Sequence, residues 1–217
     1  MRIEDRLFEL LTAYRKPGVF NQYRDVHPTL DRPGAAAIRR RNLRCYLRAF
    51  ADARFILVGE AAGYAGCRFS GIPFTCEAQC TGDQRLEWTS DLGLARSSAA
   101  PEPWAERSAS MVWETLGGRT DCVLWNAFPW HPFDEDDPLS NRRPGGDLWD
   151  GLEVLRCLLC IFPVAEPYAV GRVAQRALQR IGVDAPYIRH PSHGGKTQFQ
   201  AGLRALTSDC SASHCVL

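Results

Sequence analysis

Lysine is almost missing from this 217-residue chain: it occurs at Lys16 and Lys196 alone, and the rest of the 26 basic residues are arginine. With 25 acidic residues the net charge is only +1, so no overall basic field announces a polyanionic partner. Long apolar runs are also lacking, and none reaches the roughly 20 residues of a membrane-spanning helix. Met1 to Leu11 mixes acids, arginines and leucines, which does not read as a secretory signal. Cys215 stands third from the end, where a prenylation box needs the fourth position. The nine cysteines are an odd number without regular spacing, and they read as free thiols in a reducing cytoplasm. A phosphate-cradling loop is missing as well, since Gly59-x-x-x-Gly63 matches one poorly. These absences point away from a membrane protein, a disulfide-stapled secreted domain and a P-loop enzyme.

What is present is an ordinary globular composition, 45% hydrophobic and 24% charged. The length suits one well-buried core, so residues 1–217 read as one domain with 1–52 as an N-terminal helical extension and 208–217 as a frayed tail. Apolar spacing predicts helices over 3–15, 35–52, 103–116, 147–162, 172–181 and 198–207. Pro103 is placed as a first helical residue, and Gly117-Gly118 as the stop. Short apolar runs predict strands over 54–58, 121–128, 168–170 and 187–189. Strands alternating with helices imply a three-layer α/β/α fold with a central four-stranded parallel sheet. The arginines at 39, 40, 41, 44 and 48 read as a solvated helix face. Ligands of such sheets bind beyond the carboxyl ends of the strands, which directs attention to the loops 59–77, 126–144 and 190–196.

Each of those loops holds a polar cluster. The first is Gly59-Glu60-Ala61-Ala62-Gly63-Tyr64, followed by Gly71-Ile72-Pro73-Phe74-Thr75-Cys76-Glu77. The second is Leu124-Trp125-Asn126-Ala127-Phe128-Pro129, and the third is His190-Pro191-Ser192-His193-Gly194-Gly195. In this order and at these strand ends they resemble the uracil-DNA glycosylase superfamily over roughly residues 54–206. Gly-Glu-Ala-x-Gly and Asn141-Arg142-Arg143-Pro144 are similar to the thermophile-type branches that carry an iron–sulfur cluster. The cysteine framework of those branches is broken here: only Cys45 precedes the first strand, and Trp130 sits four residues after Asn126. No cluster and no other cofactor is therefore expected; the alternative is a metal held by Cys76, Cys80, Cys157 and Cys160.

The resemblance implies an enzyme that flips uracil, or another deaminated or 5-substituted base, out of single- or double-stranded DNA. It then hydrolyses the N-glycosidic bond and leaves an abasic site. Asn126 offers one NH₂ and one C=O, which matches the O4 acceptor and N3–H donor of uracil and mismatches cytosine. Phe74 would stack on the extruded ring. By resemblance His190 donates to O2 of the leaving base, where negative charge develops. Ser192 and the backbone at Gly194 would hold a phosphate, with His193, Lys196 and Arg143 as further DNA contacts. The position that carries an Asp in the best-known branch is Ala61, so the water-activating carboxylate is Glu60, with Glu77 as the alternative. Some relatives carry a Tyr at the position of Gly63 to block the thymine methyl; here Tyr64 or another side chain must do so, or 5-substituted uracils enter. DNA is the expected partner of a monomer. The rivals are a catalytically inactive nucleic-acid-binding module of the same fold and a small-molecule α/β enzyme.

Overall fold

The computed structural model describes residues 3–82, 86–192 and 194–212. The chain runs α1 (Ile3–Ala13), β1 (Val19–Phe20), α2 (Ala35–Ala49) and β2 (Phe55–Ala61). Three short helices follow, α3 (Cys67–Ser70), α4 (Glu77–Gly82) and α5 (Glu87–Ser90), and then α6 (Arg107–Leu116). After β3 (Cys122–Phe128) and β4 (His131–Pro132) a 3-10 helix spans Gly145–Gly151 and leads into α7 (Leu152–Ile161). The remaining elements are β5 (Glu166–Val170), α8 (Arg172–Arg180), β6 (Tyr187–Ile188) and α9 (Lys196–Ala212).

The central sheet has the order β3-β2-β5-β6, and its strands are all parallel. Helices flank it, as the alternating pattern predicts. All seven residues of β3 are buried, which is why this strand reads as a continuous apolar run rather than an alternating one. Strand β3 lies on one side of β2 and β5 on the other, so the strand order reverses at β2 and opens a crevice at the carboxyl ends. Tyr46 of α2 and Phe50 just beyond it cluster with Trp88 and Trp113, and the Leu124 amide donates to the Tyr46 hydroxyl at 2.7 Å. Among the described residues no helix is long and apolar enough to cross a membrane.

Several expectations need correction. The stretch 1–52 is no appendage: Leu7, Phe8 and Leu11 of α1 join the core, and α1 packs on α7. Val19–Phe20 pairs antiparallel with His131–Pro132 inside what reads as two loops. Helix α6 starts at Arg107, not Pro103, because tertiary contacts hold the preceding segment extended. There the Trp104 indole stacks on Phe69 at 5.1 Å, and its carbonyl accepts from the Ala78 amide. Helix α9 continues through Ser208 to Ala212, in a stretch with no Gly or Pro stop after Gly202; residues 213–217 lie outside the described ones. Arg39 is not on a solvated face. Its fully buried guanidinium binds the Asp31 carboxylate at 2.9 Å and the Arg68 carbonyl at 3.0 Å, tying α2 to α3.

Candidate active site

A cavity of ≈ 470 Å³ opens at the carboxyl ends of β2, β3, β5 and β6. Its wall brings together Glu60, Ala61, Gly63, Phe74, Asn126, Arg143, His190 and Ser192. These residues come from all three loops that the strand-end rule singles out, and they are the larger part of the sequence-derived site.

Asn126 sits within β3 directly opposite Gly59 of β2. It is only 3% exposed, and its side-chain amide forms no hydrogen bond with the described residues. The amide borders the cavity, so its donor and acceptor are available to a ligand there. Phe74 lies against the same point. A Cβ on Gly59 would come within 2.7 Å of Phe74 Cε2, closer still to Cζ, and within 3.2 Å of Asn126 Oδ1. Glycine at 59 is what lets the ring rest on the strand beside the amide. Phe74 itself has φ 53, and it is the non-glycine residue with left-handed backbone among the described ones. That conformation is sparsely populated and costs about 1–3 kcal/mol, a strain that the surrounding loop must hold.

Two carboxyl groups face the cavity. Glu60 lies at the end of β2, and burial pushes its pKa up while the nearby Arg143 and Arg176 pull it down. Glu106 is the second, and the sequence analysis missed it. It is the N-cap residue of α6, yet its side chain makes no capping bond. Instead its carboxyl lies against the 62–66 turn: a Cβ on Gly63 would come within 2.5 Å of Oε1, and one on Gly66 within 2.9 Å of Cδ. Burial raises its pKa, opposed only by a hydrogen bond from Ser108. The missed signal is the late start of α6, which hydrophobic spacing alone does not reveal.

His190 follows β6, and its Nδ1 lies 2.7 Å from Ser192 Oγ and 3.2 Å from the Ser192 amide. A backbone N–H can only donate, so Nδ1 accepts and the proton of the neutral ring resides on Nε2. Arg143, Arg172 and Arg189 also line the cavity. Arg172 lies over the Tyr187 ring at 4.3 Å, and Arg142 is engaged with Asp147 and the carbonyls of Gly18 and Phe133.

Other sequence-derived site residues lie elsewhere. Tyr64 leaves the cavity wall and sets its ring edge-on to Trp104 at 5.8 Å, while its amide donates to Asn141 Oδ1 at 2.9 Å. Glu77 is fully buried. Its carboxylate accepts from the Ser97 and Ser98 amides at 2.8 Å each, from the Ser98 hydroxyl, and from the Trp104 amide at 3.4 Å. That network fixes the 97–104 segment and leaves Glu77 no path to the cavity. Lys196 is exposed, off the cavity wall, and pairs with Glu114 at 3.4 Å. Gly194 is exposed with φ 77 and is also off the wall, and His193 lies outside the described residues. Cys76 and Cys80 are buried near one another, whereas Cys157 and Cys160 belong to α7. No group of three or more metal-ligating side chains comes together among the described residues.

No protein-family model matches the chain, and a search of curated proteins gives no match. The functional reading therefore rests on the site.

Proposed function

We propose that this protein is a monofunctional DNA glycosylase that excises uracil. The observation that carries the reading is the Asn126 amide, without a hydrogen bond among the described residues, beside the Phe74 ring at the floor of a cavity rimmed by arginines. An aromatic face next to one donor and one acceptor suits a planar base with a keto–imide edge. A base inside duplex DNA cannot reach such a floor, so it must leave the stack. Arg143, Arg172 and Arg189 at the rim suit the phosphates that remain outside.

In this reading Asn126 pairs with O4 and N3–H, and Phe74 stacks on the ring. The Nε2–H of His190 meets O2. As the N1–C1′ bond lengthens, electrons flow to the base and positive charge gathers on the sugar. His190 stabilises the first, and the Glu60 carboxylate stabilises the second and orients the water whose oxygen bonds to C1′. The base leaves as its anion and takes up a proton. Lyase chemistry needs an amine in the cavity, and neither lysine lines it.

The test is a pair of variants in single-turnover excision and in binding to a non-cleavable 2′-fluoro-uracil duplex. Asn126→Ala loses edge contacts that form on flipping and persist to the transition state, so binding and rate both fall. His190→Ala loses a donor that matters as charge develops, so the rate falls about 10²–10³-fold while binding survives. Near-normal rates in His190→Ala overturn its assigned role. Tight binding to uracil DNA without any base release by the unmodified protein supports the inactive binding module instead.

A further inference from the structure

Glu106 has no task in this mechanism, yet its carboxyl enters the same cavity. Ser108 is the polar side chain that favours its charged form, and no cation pairs with it among the described residues. It does not cap α6. Beside it are the deep, 2% exposed Cys67 and the turn glycines Gly63 and Gly66. A carboxyl group has about four lone-pair sites, so most of its hydrogen-bonding capacity is left for a ligand.

The roles already assigned locate that ligand group. With Asn126 on O4 and N3, His190 on O2, Phe74 on one face and the sugar on N1, the C5–C6 edge and the second face of a pyrimidine remain, and only the edge can carry a substituent that donates to a carboxyl. A bare C5–H cannot satisfy a desolvated carboxyl, and neither can a methyl group. The absent side chain at Gly63 leaves the carboxyl room to stand there.

We propose that Glu106 is a specificity-determining residue that hydrogen-bonds a small polar substituent at C5, so that the site takes 5-hydroxymethyluracil and its like. This inference rests on the glycosylase reading above. Either protonation state of the carboxyl accepts from the substituent's hydroxyl, and thymine offers none.

The experiment compares single-turnover release of uracil, 5-hydroxymethyluracil and thymine from otherwise identical duplexes. The unmodified protein, Glu106→Gln and Glu106→Leu are tested, each checked for folding by its melting temperature. The unmodified protein should release 5-hydroxymethyluracil at least as fast as uracil, and thymine far more slowly. Glu106→Leu should lower the 5-hydroxymethyluracil-to-uracil rate ratio by about 10- to 100-fold, the effect of leaving one buried polar group unpaired. Glu106→Gln, which still accepts a hydrogen bond, should lower it less. A merely structural Glu106 slows all substrates alike and leaves the ratio unchanged, which overturns the proposal. Release of uracil without 5-hydroxymethyluracil by the unmodified protein overturns it too, even if Glu106→Leu fails to fold. Release of neither base overturns the glycosylase reading and this one with it.

Discussion

Gly59→Ala is the sharpest probe of how the cavity floor is built. The backbone at Gly59 is ordinary strand, so alanine fits its dihedral angles, and a strand Gly→Ala change without contacts stabilises by about 0.5–1 kcal/mol. Here the new methyl meets Phe74 Cε2 at 2.7 Å, with Cζ nearer, and Asn126 Oδ1 at 3.2 Å. The ring must move by about an ångström to restore van der Waals contact. Such overpacking costs about 1–3 kcal/mol, which outweighs the entropic gain. The net loss, about 1–2 kcal/mol, corresponds to a melting temperature lower by about 2–8 °C in a chain of this size. The effect on function is larger. A misplacement of about 1 Å in a positioned group costs on the order of 10²-fold in rate. Pairing the change with Phe74→Ala isolates the cause, because the contact disappears with the ring. Gly59→Ala should then cost little or even stabilise in the Phe74→Ala background, a coupling of about 1–3 kcal/mol. Thermal melts of the four proteins and single-turnover excision by Gly59→Ala measure both effects. An unchanged melting temperature and an unchanged rate in the single variant would refute the argument that glycine seats the ring.

Glu77→Ala removes the acceptor for two buried amides and a hydroxyl, so unfolding in denaturant should show a loss of about 3–5 kcal/mol; a stability close to that of the unmodified protein contradicts the structural role. His131 is fully buried, and burial pushes its pKa down to about 4 from 6.5. The unfolded chain therefore binds a proton below 6.5 that the folded chain refuses until about 4, and stability falls as pH drops through that window. The difference in stability between the unmodified protein and His131→Gln should shrink by about 3 kcal/mol across it, at about 1.4 kcal/mol per pH unit. Glu60 and Glu106, whose pKa values are raised, act with the opposite sign, which is why the comparison with His131→Gln is needed. A difference that stays constant with pH contradicts the buried neutral imidazole.

The sheet was legible because its physics is local. Runs such as Phe55 to Val58 and Cys122 to Phe128 can be satisfied only by burial on both faces; β2 runs on past Gly59 to Ala61, whereas Gly171 does mark the end of β5. The cavity followed from the sheet, since the strand-end rule names the loops before any side chain is placed. What stayed illegible was long-range. Glu77 reads as a candidate acid, because nothing in its neighbours says that the Ser97 and Ser98 amides will fold back onto it. Arg39 reads as solvated until Asp31 is brought beside it. Glu106 is hidden inside an expected helix, because the stacking of Trp104 on Phe69 that delays α6 joins segments far apart in sequence. Short helices α3 to α5 carry too few residues for a period to show.

The central claim is that the cavity at the strand ends breaks the bond between a flipped uracil and its sugar. The most direct measurement is mass-spectrometric detection of free uracil, together with alkali-labile strand cleavage, after incubating excess protein with single-stranded and U·G duplex oligonucleotides. The account predicts release of uracil in equal amount to abasic sites, and loss of both signals in parallel when Asn126 is replaced by alanine. Intact uracil DNA after prolonged incubation at saturating protein, on both substrates, would contradict it.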